Sequence, residues 1–236
     1  MKFLNLCKKA SKKIIKYIQN SDTSIFIKTK KGFGGDISMK IDLIAEKIFI
    51  KTFQNYANIF SEEKGFINNN FKKTLIIDPI DGSFNISNGF PYYGASIALK
   101  NKKGKIIKAF IINLATGDYF YKDKKNKIEN NLFSNKNPSY SLREMVLFEK
   151  SYANIDICKK LSKHNIKYRS PGALALSLAL ADKCKAVIFK GKIREFDITA
   201  GIFFNNHLHI KIKNDIILMT HKKDDFNQLN KILFEE

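Results

Sequence analysis

The sequence predicts an α/β (α+β) protein built from layered sheets and helices, and three observations carry that prediction. Both ends of the chain show helical periodicity. The middle is a run of short β-type segments separated by turn residues. A chain of 236 residues with 44% hydrophobic and 12% aromatic residues is also long and apolar enough to bury a substantial core.

The elements follow in order. In "MKFLNLCKKASKKIIKYIQ", Leu4, Ile14, Ile15 and Ile18 mark one face of an amphipathic helix. A glycine-rich loop, "KTKKGFGGD" over 28–36, comes next. Ile37, Ile41, Ile44 and Ile48 then recur at helical steps, with Asp36 or Ser38 placed to cap the helix and Asp42 and Glu46 off its stripe. The strand "ANIF" leads into Ser61-Glu62-Glu63, and the strand "TLII" leads into a Pro/Gly turn, "DPIDGS". "YYGASIALK", "KIIKAFIIN" and "DYFYK", separated by "NKKGK" and "LATG", read as an antiparallel meander. Residues 124–145 are polar and are expected to be loops.

In the second half, Ser170-Pro171 is expected to start a helix filled by "GALALSLALADK". "AVIFK" is a buried strand, "DITAGIFFNN" a helix, "HLHIKIKNDIILMT" a hairpin around Asn214-Asp215, and "DDFNQLNKILFEE" a closing helix. No repeat or linker interrupts the chain, so 1–236 reads as one domain with a weakly marked subdomain boundary near 145.

Composition excludes some functions. The net charge of +20 arises from 42 basic against 22 acidic residues, and only Arg143, Arg169 and Arg194 are arginine. The charge is dispersed lysine in a chain also rich in Ile, Asn and Phe, which fits A/T-rich codon usage better than a specific nucleic-acid surface. Cys7, Cys158 and Cys184 match no metal-binding spacing and form no disulfide framework, as in a reducing compartment. No stretch approaches the roughly 20 apolar residues of a membrane span. The N-terminus has no continuous apolar core of a signal peptide. The expectation is a cytoplasmic protein with no membrane partner.

Chemistry concentrates where carboxylates stand at strand ends and helix starts: Glu62, Asp78, Asp81 and Asp197. Taken singly, each is as well explained by a turn or a cap. Brought together in a desolvated cleft they would repel strongly, and hard divalent cations would relieve that repulsion through all-oxygen ligation. A carboxylate cluster holding two such ions suits phosphoryl hydrolysis.

The combination "EE" at 62–63, "DPIDGS" at 78–83 and "FDITAG" at 196–201 resembles the inositol monophosphatase family of Mg²⁺-dependent, lithium-sensitive sugar phosphatases. The resemblance runs from about residue 3 to 235 and implies that family's layered αβαβα fold. It implies two or three Mg²⁺ per site and a homodimer. Glu62, Asp78 and the carbonyl of Ile80 would ligate the first Mg²⁺, and Asp78, Asp81 and Asp197 the second. Asp42 and Ser83, helped by Glu62, would orient and deprotonate the attacking water. Lys31 would sit on a loop closing over the metals. Gly82 and Ser83 would seat the phosphate, with Gly172, Ala173 and Leu174 also against the substrate.

Inositol-specific members carry Glu seven residues before the late Asp, where this chain has Lys190. With Arg169 and Arg194, Lys190 adds cations near the expected substrate mouth. That pattern resembles the archaeal-type dual inositol monophosphatase and fructose-1,6-bisphosphatase, whose substrate can carry a second phosphate. The implied reaction is Mg²⁺-dependent hydrolysis of inositol 1-phosphate, fructose 1,6-bisphosphate or both. The small-molecule alternatives are 3′-phosphoadenosine 5′-phosphate and a broad sugar-phosphatase activity. A non-catalytic, phosphatase-like protein binding RNA or another polyanion through its charge is the alternative from a different class.

Overall fold

The computed structural model describes residues 2–235. The first half builds a large sheet. Helix α1 (Lys2–Gln19) buries Phe3, Cys7, Ala10 and Ile14 along one face. Strands β1 (Lys28–Lys31) and β2 (Ile37–Met39) form a small antiparallel pair, and α2 (Lys40–Phe53) follows directly. Strands β3 (Asn58–Ser61), β4 (Gly65–Ile67) and β5 (Thr74–Asp81) precede the short helix α3 (Ser83–Ser87). Strands β6 (Gly94–Lys100), β7 (Ile106–Asn113), β8 (Asp118–Asp123) and β9 (Lys127–Asn131) then complete a seven-stranded sheet in the order β4-β3-β5-β6-β7-β8-β9.

The second half builds a five-stranded sheet. It comprises β10 (Leu142–Glu149), α4 (Ile155–Lys163), β11 (Tyr168–Arg169), α5 (Leu174–Ala179) and β12 (Cys184–Lys190). Helix α6 (Glu195–Phe204), strands β13 (His209–Lys213) and β14 (Ile216–Thr220), and α7 (Lys223–Phe234) finish the chain. The strand order is β11-β10-β12-β14-β13.

The apolar residues sort these elements into five layers. On β5, Leu75 and Ile77 pack with α1 and α2, while Ile76 faces the cluster that includes α5 and α6. On β12, Val187 and Phe189 join that same central cluster, and Ala186 and Ile188 face α4 and α7. The stack is therefore helices, large sheet, helices, small sheet, helices. This is the αβαβα arrangement.

Four expectations are corrected. Residues 127–131 form β9 and residue 142 opens β10, because the polar side chains of β9 sit half-buried on a sheet edge where backbone pairing suffices. Helix α5 starts at Leu174 and not at Ser170-Pro171; the backbone N–H groups of 172–175 are met by carboxylates from elsewhere in the chain. Helix α2 is capped by neither Asp36 nor Ser38: Asp42 reaches back to accept the Met39 N–H at 2.6 Å. Its buried face is Ile41, Ala45, Phe49 and Phe53 with Asp42 and Glu46 beside them, and Ile37 lies outside the helix and exposed.

Candidate active site

The large sheet places the first two carboxylates. Strands β3 and β5 run parallel with Ser61 opposite Ile77, so the next residues, Glu62 and Asp78, leave the same end of the sheet side by side. "DPIDG" is not a free turn. Strand β5 continues through it to Asp81, and between the pairs Asp78–Ser96 and Asp81–Gly94 three steps on β5 oppose two on β6. The extra residue is a β-bulge, and Pro79, which has no N–H for the ladder, lies within it. The bulge re-aims the carboxylates at the rim of the sheet. Asp197 arrives from the first turn of α6.

Oxygens of Glu62, Asp78 and Asp197 all lie within 4.8 Å of one another. The three are buried or nearly so, and burial is the main force raising each carboxyl above its ordinary range. Glu62 is pushed to about 7 by burial, partly offset by the Arg194 guanidinium. Asp78 is raised by burial, then by the charges of Glu62, Asp81 and Asp197. The donor set is entirely carboxylate oxygen, the ligand chemistry of a hard divalent cation, and fits such an ion.

Arg194, just ahead of α6, crosses this cluster. Its Nη1 lies 2.6 Å from Glu62 Oε1 and 2.6 Å from Asp36 Oδ2. Its Nε and Nη2 donate to the two oxygens of Asp197 at 2.8 and 3.1 Å. Asp36 stands on the β1–β2 loop, which is itself pinned by Gly34 N–H to the Glu62 carbonyl at 2.7 Å and Phe33 N–H to the Glu63 carbonyl at 3.1 Å.

Beside the cluster stands a hydroxyl–carboxylate pair. Ser83 Oγ lies 3.0 Å from Asp42 Oδ1 and 3.1 Å from the Ile80 carbonyl. The hydroxyl has one proton, so an ionised Asp42 takes it and the Ile80 carbonyl stays available. Asp42 is buried and pushed to about 6 by that burial. Gly82 is left-handed at φ 91° and a Cβ there would lie 3.1 Å from the Tyr92 carbonyl and from Ala173 Cβ. Glycine is therefore needed for the backbone and for the approach of the 172–173 segment, and the missing side chain faces that segment.

The three clustered carboxylates, Arg194, Asp36, and the Asp42–Ser83 pair with Ile80 and Gly82 line one cavity of about 750 Å³. The other residues expected at the site are placed as follows. Asp81 lines the cavity, but its oxygens accept the N–H groups of Leu174 and Ala175 at 3.2 and 2.7 Å. Gly172 and Ala173 donate theirs to Glu149, so the amides of 172–174 are already occupied. Lys31 is exposed at the end of β1 and outside the cavity lining. Arg169 is exposed with its guanidinium on the Tyr168 carbonyl, and Lys190 pairs with Asp156 at 3.1 Å; neither lines the cavity. Of the three cations expected at the mouth, only Arg194 is in the cavity, and it is engaged by carboxylates.

Sequence reasoning missed Glu149, Lys150 and Tyr152. Glu149 is buried at the end of β10, where it accepts from Gly172, Ala173 and the Ser177 hydroxyl, the last at 2.5 Å. Its signal was available: "MVLFE" ends an apolar strand on an acid just as "NIFSE" and "TLIID" do. Lys150 lines the cavity, and with it the highly exposed Tyr152 and Phe84.

Known proteins resemble this chain in sequence and fold. A fructose-1,6-bisphosphatase/inositol-1-monophosphatase of Methanocaldococcus jannaschii is 40% identical over 90 residues, 38% of this chain and 35% of that protein. One of the same description from Thermococcus kodakarensis is 26% identical over 172 residues, 71% of this chain and 66% of that protein. The aligned stretches thus span between about a third and two thirds of these relatives' length. The crystal structure of an inositol monophosphatase–fructose 1,6-bisphosphatase superposes with a TM-score of 0.81 at 22% identity, covering 99% of this chain and 100% of that one, a likeness of fold. With its sequence matched over residues 3–204 by the model of the inositol monophosphatase family, the chain belongs to that family.

Proposed function

We propose that the chain is a Mg²⁺-dependent phosphomonoesterase that hydrolyses sugar or polyol phosphates, with fructose 1,6-bisphosphate and inositol 1-phosphate as its substrates. The observation that carries this reading is the cluster of Glu62, Asp78 and Asp197 immediately beside the Ser83–Asp42 pair. Glu62, Asp78 and Asp197, with the Ile80 carbonyl and Asp81 adjacent, would hold the cation. When bound, Mg²⁺ polarises the phosphoryl oxygens and lowers the pKa of water.

The chain's own groups supply the rest. Asp42 is ionised near neutral pH and holds the Ser83 proton, which leaves the Ser83 oxygen free to accept one from a water. Passing a proton from water to Ser83 and from Ser83 to Asp42 makes this pair the base. Gly82 and Ser83 line the same cavity, and their backbone N–H groups would hold the phosphate. Lys150, the other cation of the lining, helps offset the charge of Asp197 without a close ion pair to it and is suited to a second phosphate. The relatives described as fructose-1,6-bisphosphatases support that choice of substrate.

One observation favours a second reading, 3′-phosphoadenosine 5′-phosphate. Phe84 and Tyr152, each 76% exposed, offer aromatic faces at the cavity to an adenine ring. The test is phosphate release with Mg²⁺ from inositol 1-phosphate, fructose 1,6-bisphosphate and 3′-phosphoadenosine 5′-phosphate, with and without Li⁺. Faster, Li⁺-sensitive release from the sugar and polyol esters supports the first reading. Preference for the nucleotide supports the second, and no metal-dependent release from any of them contradicts both.

A further inference from the structure

We infer that Arg194 is a resident counter-ion that competes with the divalent cation for the carboxylate cluster and becomes available to an anionic substrate only when the cation has displaced it. The inference rests on the metal-dependent reading above and adds an order of events to it.

The guanidinium is placed where a cation would compete with it. Two of the three clustered carboxylates, Glu62 and Asp197, give Arg194 contacts of 2.6 to 3.1 Å, and three separate nitrogens take part. A hard cation needs lone pairs on those same carboxylates at about 2.0–2.1 Å. A divalent charge there would stand within a few ångströms of a guanidinium that is always protonated, so the two repel. Full occupancy by both is disfavoured, and one must give way.

The surroundings let Arg194 be the one that moves. It is the N-cap residue of α6, with an extended backbone (φ −118°, ψ 143°), so its side chain can swing without unwinding a helical turn. Its remaining partner, Asp36, is not a member of the cluster and its side chain is 80% exposed, on the loop that contains Gly34 and Gly35. Released from Glu62 and Asp197, the guanidinium keeps a carboxylate at the cavity mouth. Its freed N–H groups then face the space where a phosphate would enter. Without the cation, the same residue holds the mutually repelling acids in a folded arrangement. The placement accounts for an arginine inside a site that must bind a dication.

The test is Mg²⁺ binding, measured by calorimetry with Mg²⁺ alone on the wild type, Arg194→Met and Arg194→Lys, together with melting temperatures with and without Mg²⁺. The expected result is at least tenfold tighter Mg²⁺ binding in Arg194→Met and a smaller gain in Arg194→Lys, which keeps a charge but loses the planar fork. Metal-free Arg194→Met should melt below the wild type, and saturating Mg²⁺ should close the gap; a purely structural arginine would leave the same deficit in both conditions. If Arg194→Met does not fold, Arg194→Lys decides: tighter binding than wild type supports the exchange, and equal or weaker binding overturns it. Equal or weaker binding in Arg194→Met, with normal binding by the wild type, overturns the exchange and leaves the metal site standing. Absence of binding by all three proteins overturns the metal-dependent reading itself.

Discussion

Asp81 accepts the backbone N–H groups of Leu174 and Ala175 on its two carboxylate oxygens and so caps α5 from the end of β5, 93 residues earlier. The contact joins the large sheet to the helix layer between the sheets. It makes Asp81 structural as well as a neighbour of the Glu62–Asp78–Asp197 carboxylate cluster. Asp81→Ala should therefore cost about 1–3 kcal/mol of stability, because it strands two buried donors. Denaturant unfolding of the variant checks this, and an unchanged midpoint would show that α5 does not depend on the cap.

Asp78 has no such second task. Its Oδ1 accepts the Ile80 N–H, and the charges around it are the carboxylates of Glu62, Asp81 and Asp197, partly offset by the Arg194 guanidinium. On the proposed function, Asp78→Asn should lower metal-dependent turnover by roughly 10³-fold or more, since it removes one of the three carboxylates that would hold the cation. In the metal-free protein it should leave the melting temperature unchanged or raised, because one of three repelling acids is gone. Thermal melting in chelator separates this from a folding defect.

The Ser83–Asp42 pair predicts a different signature. Ser83→Ala and Asp42→Asn should each lower turnover by about 10²–10⁴-fold, the range for a general base. Neither residue belongs to the three-carboxylate cluster, so Mg²⁺ affinity should stay within a few-fold of wild type. Calorimetry beside steady-state kinetics checks the split. A parallel loss of metal binding would make the pair part of the metal site.

Burial raises Glu62 to about 7 and Asp42 to about 6. The unfolded chain gives up these protons near pH 4. Between there and about pH 7 the folded chain binds more protons, so the stability these groups contribute is full at low pH and lost as pH rises through 6 and 7. The melting temperature of the metal-free protein should fall between about pH 5 and 8. Mg²⁺ should reverse the trend at the upper end by binding the ionised acids. A metal-free melting temperature that rises across this interval would contradict the assignment.

Gly201, in "FDITAG", predicts a packing effect. A Cβ added there would lie 2.4 Å from Leu178 Cβ, where α6 crosses α5. That atom cannot swing aside, so the helices would have to part. Gly201→Ala should cost about 1–3 kcal/mol. Denaturant unfolding measures the loss, and a neutral result would mean that the crossing has slack.

Much of this architecture was legible because local pattern and tertiary role agree. Leu75, Ile76 and Ile77 alternate between two apolar layers, and Asn214-Asp215 adopts the left-handed pair that its hairpin requires. The acids at strand ends stood out only as a set, since each alone is as well explained by a turn or a cap, and the fold brings Glu62, Asp78 and Asp197 together. What escaped was set by partners distant in sequence. The start of α5 depends on Asp81 and Glu149, so the Ser-Pro signal at 170–171 misplaced it. Strand β9 has a polar sequence and pairs only because β8 lies beside it. The fates of Arg169, Lys190 and Arg194 depended on which way each side chain turned. One pairs with its neighbour's carbonyl, one with Asp156, and one enters the cluster.

The most direct test of the central claim is phosphate release from fructose 1,6-bisphosphate and inositol 1-phosphate as Mg²⁺ is titrated, with wild type and Asp78→Asn side by side. The account predicts release that is absent in chelator, rises to saturation with Mg²⁺ in the wild type, and is lost in a still-folded Asp78→Asn. Release that is independent of Mg²⁺, or that survives in Asp78→Asn, would contradict it.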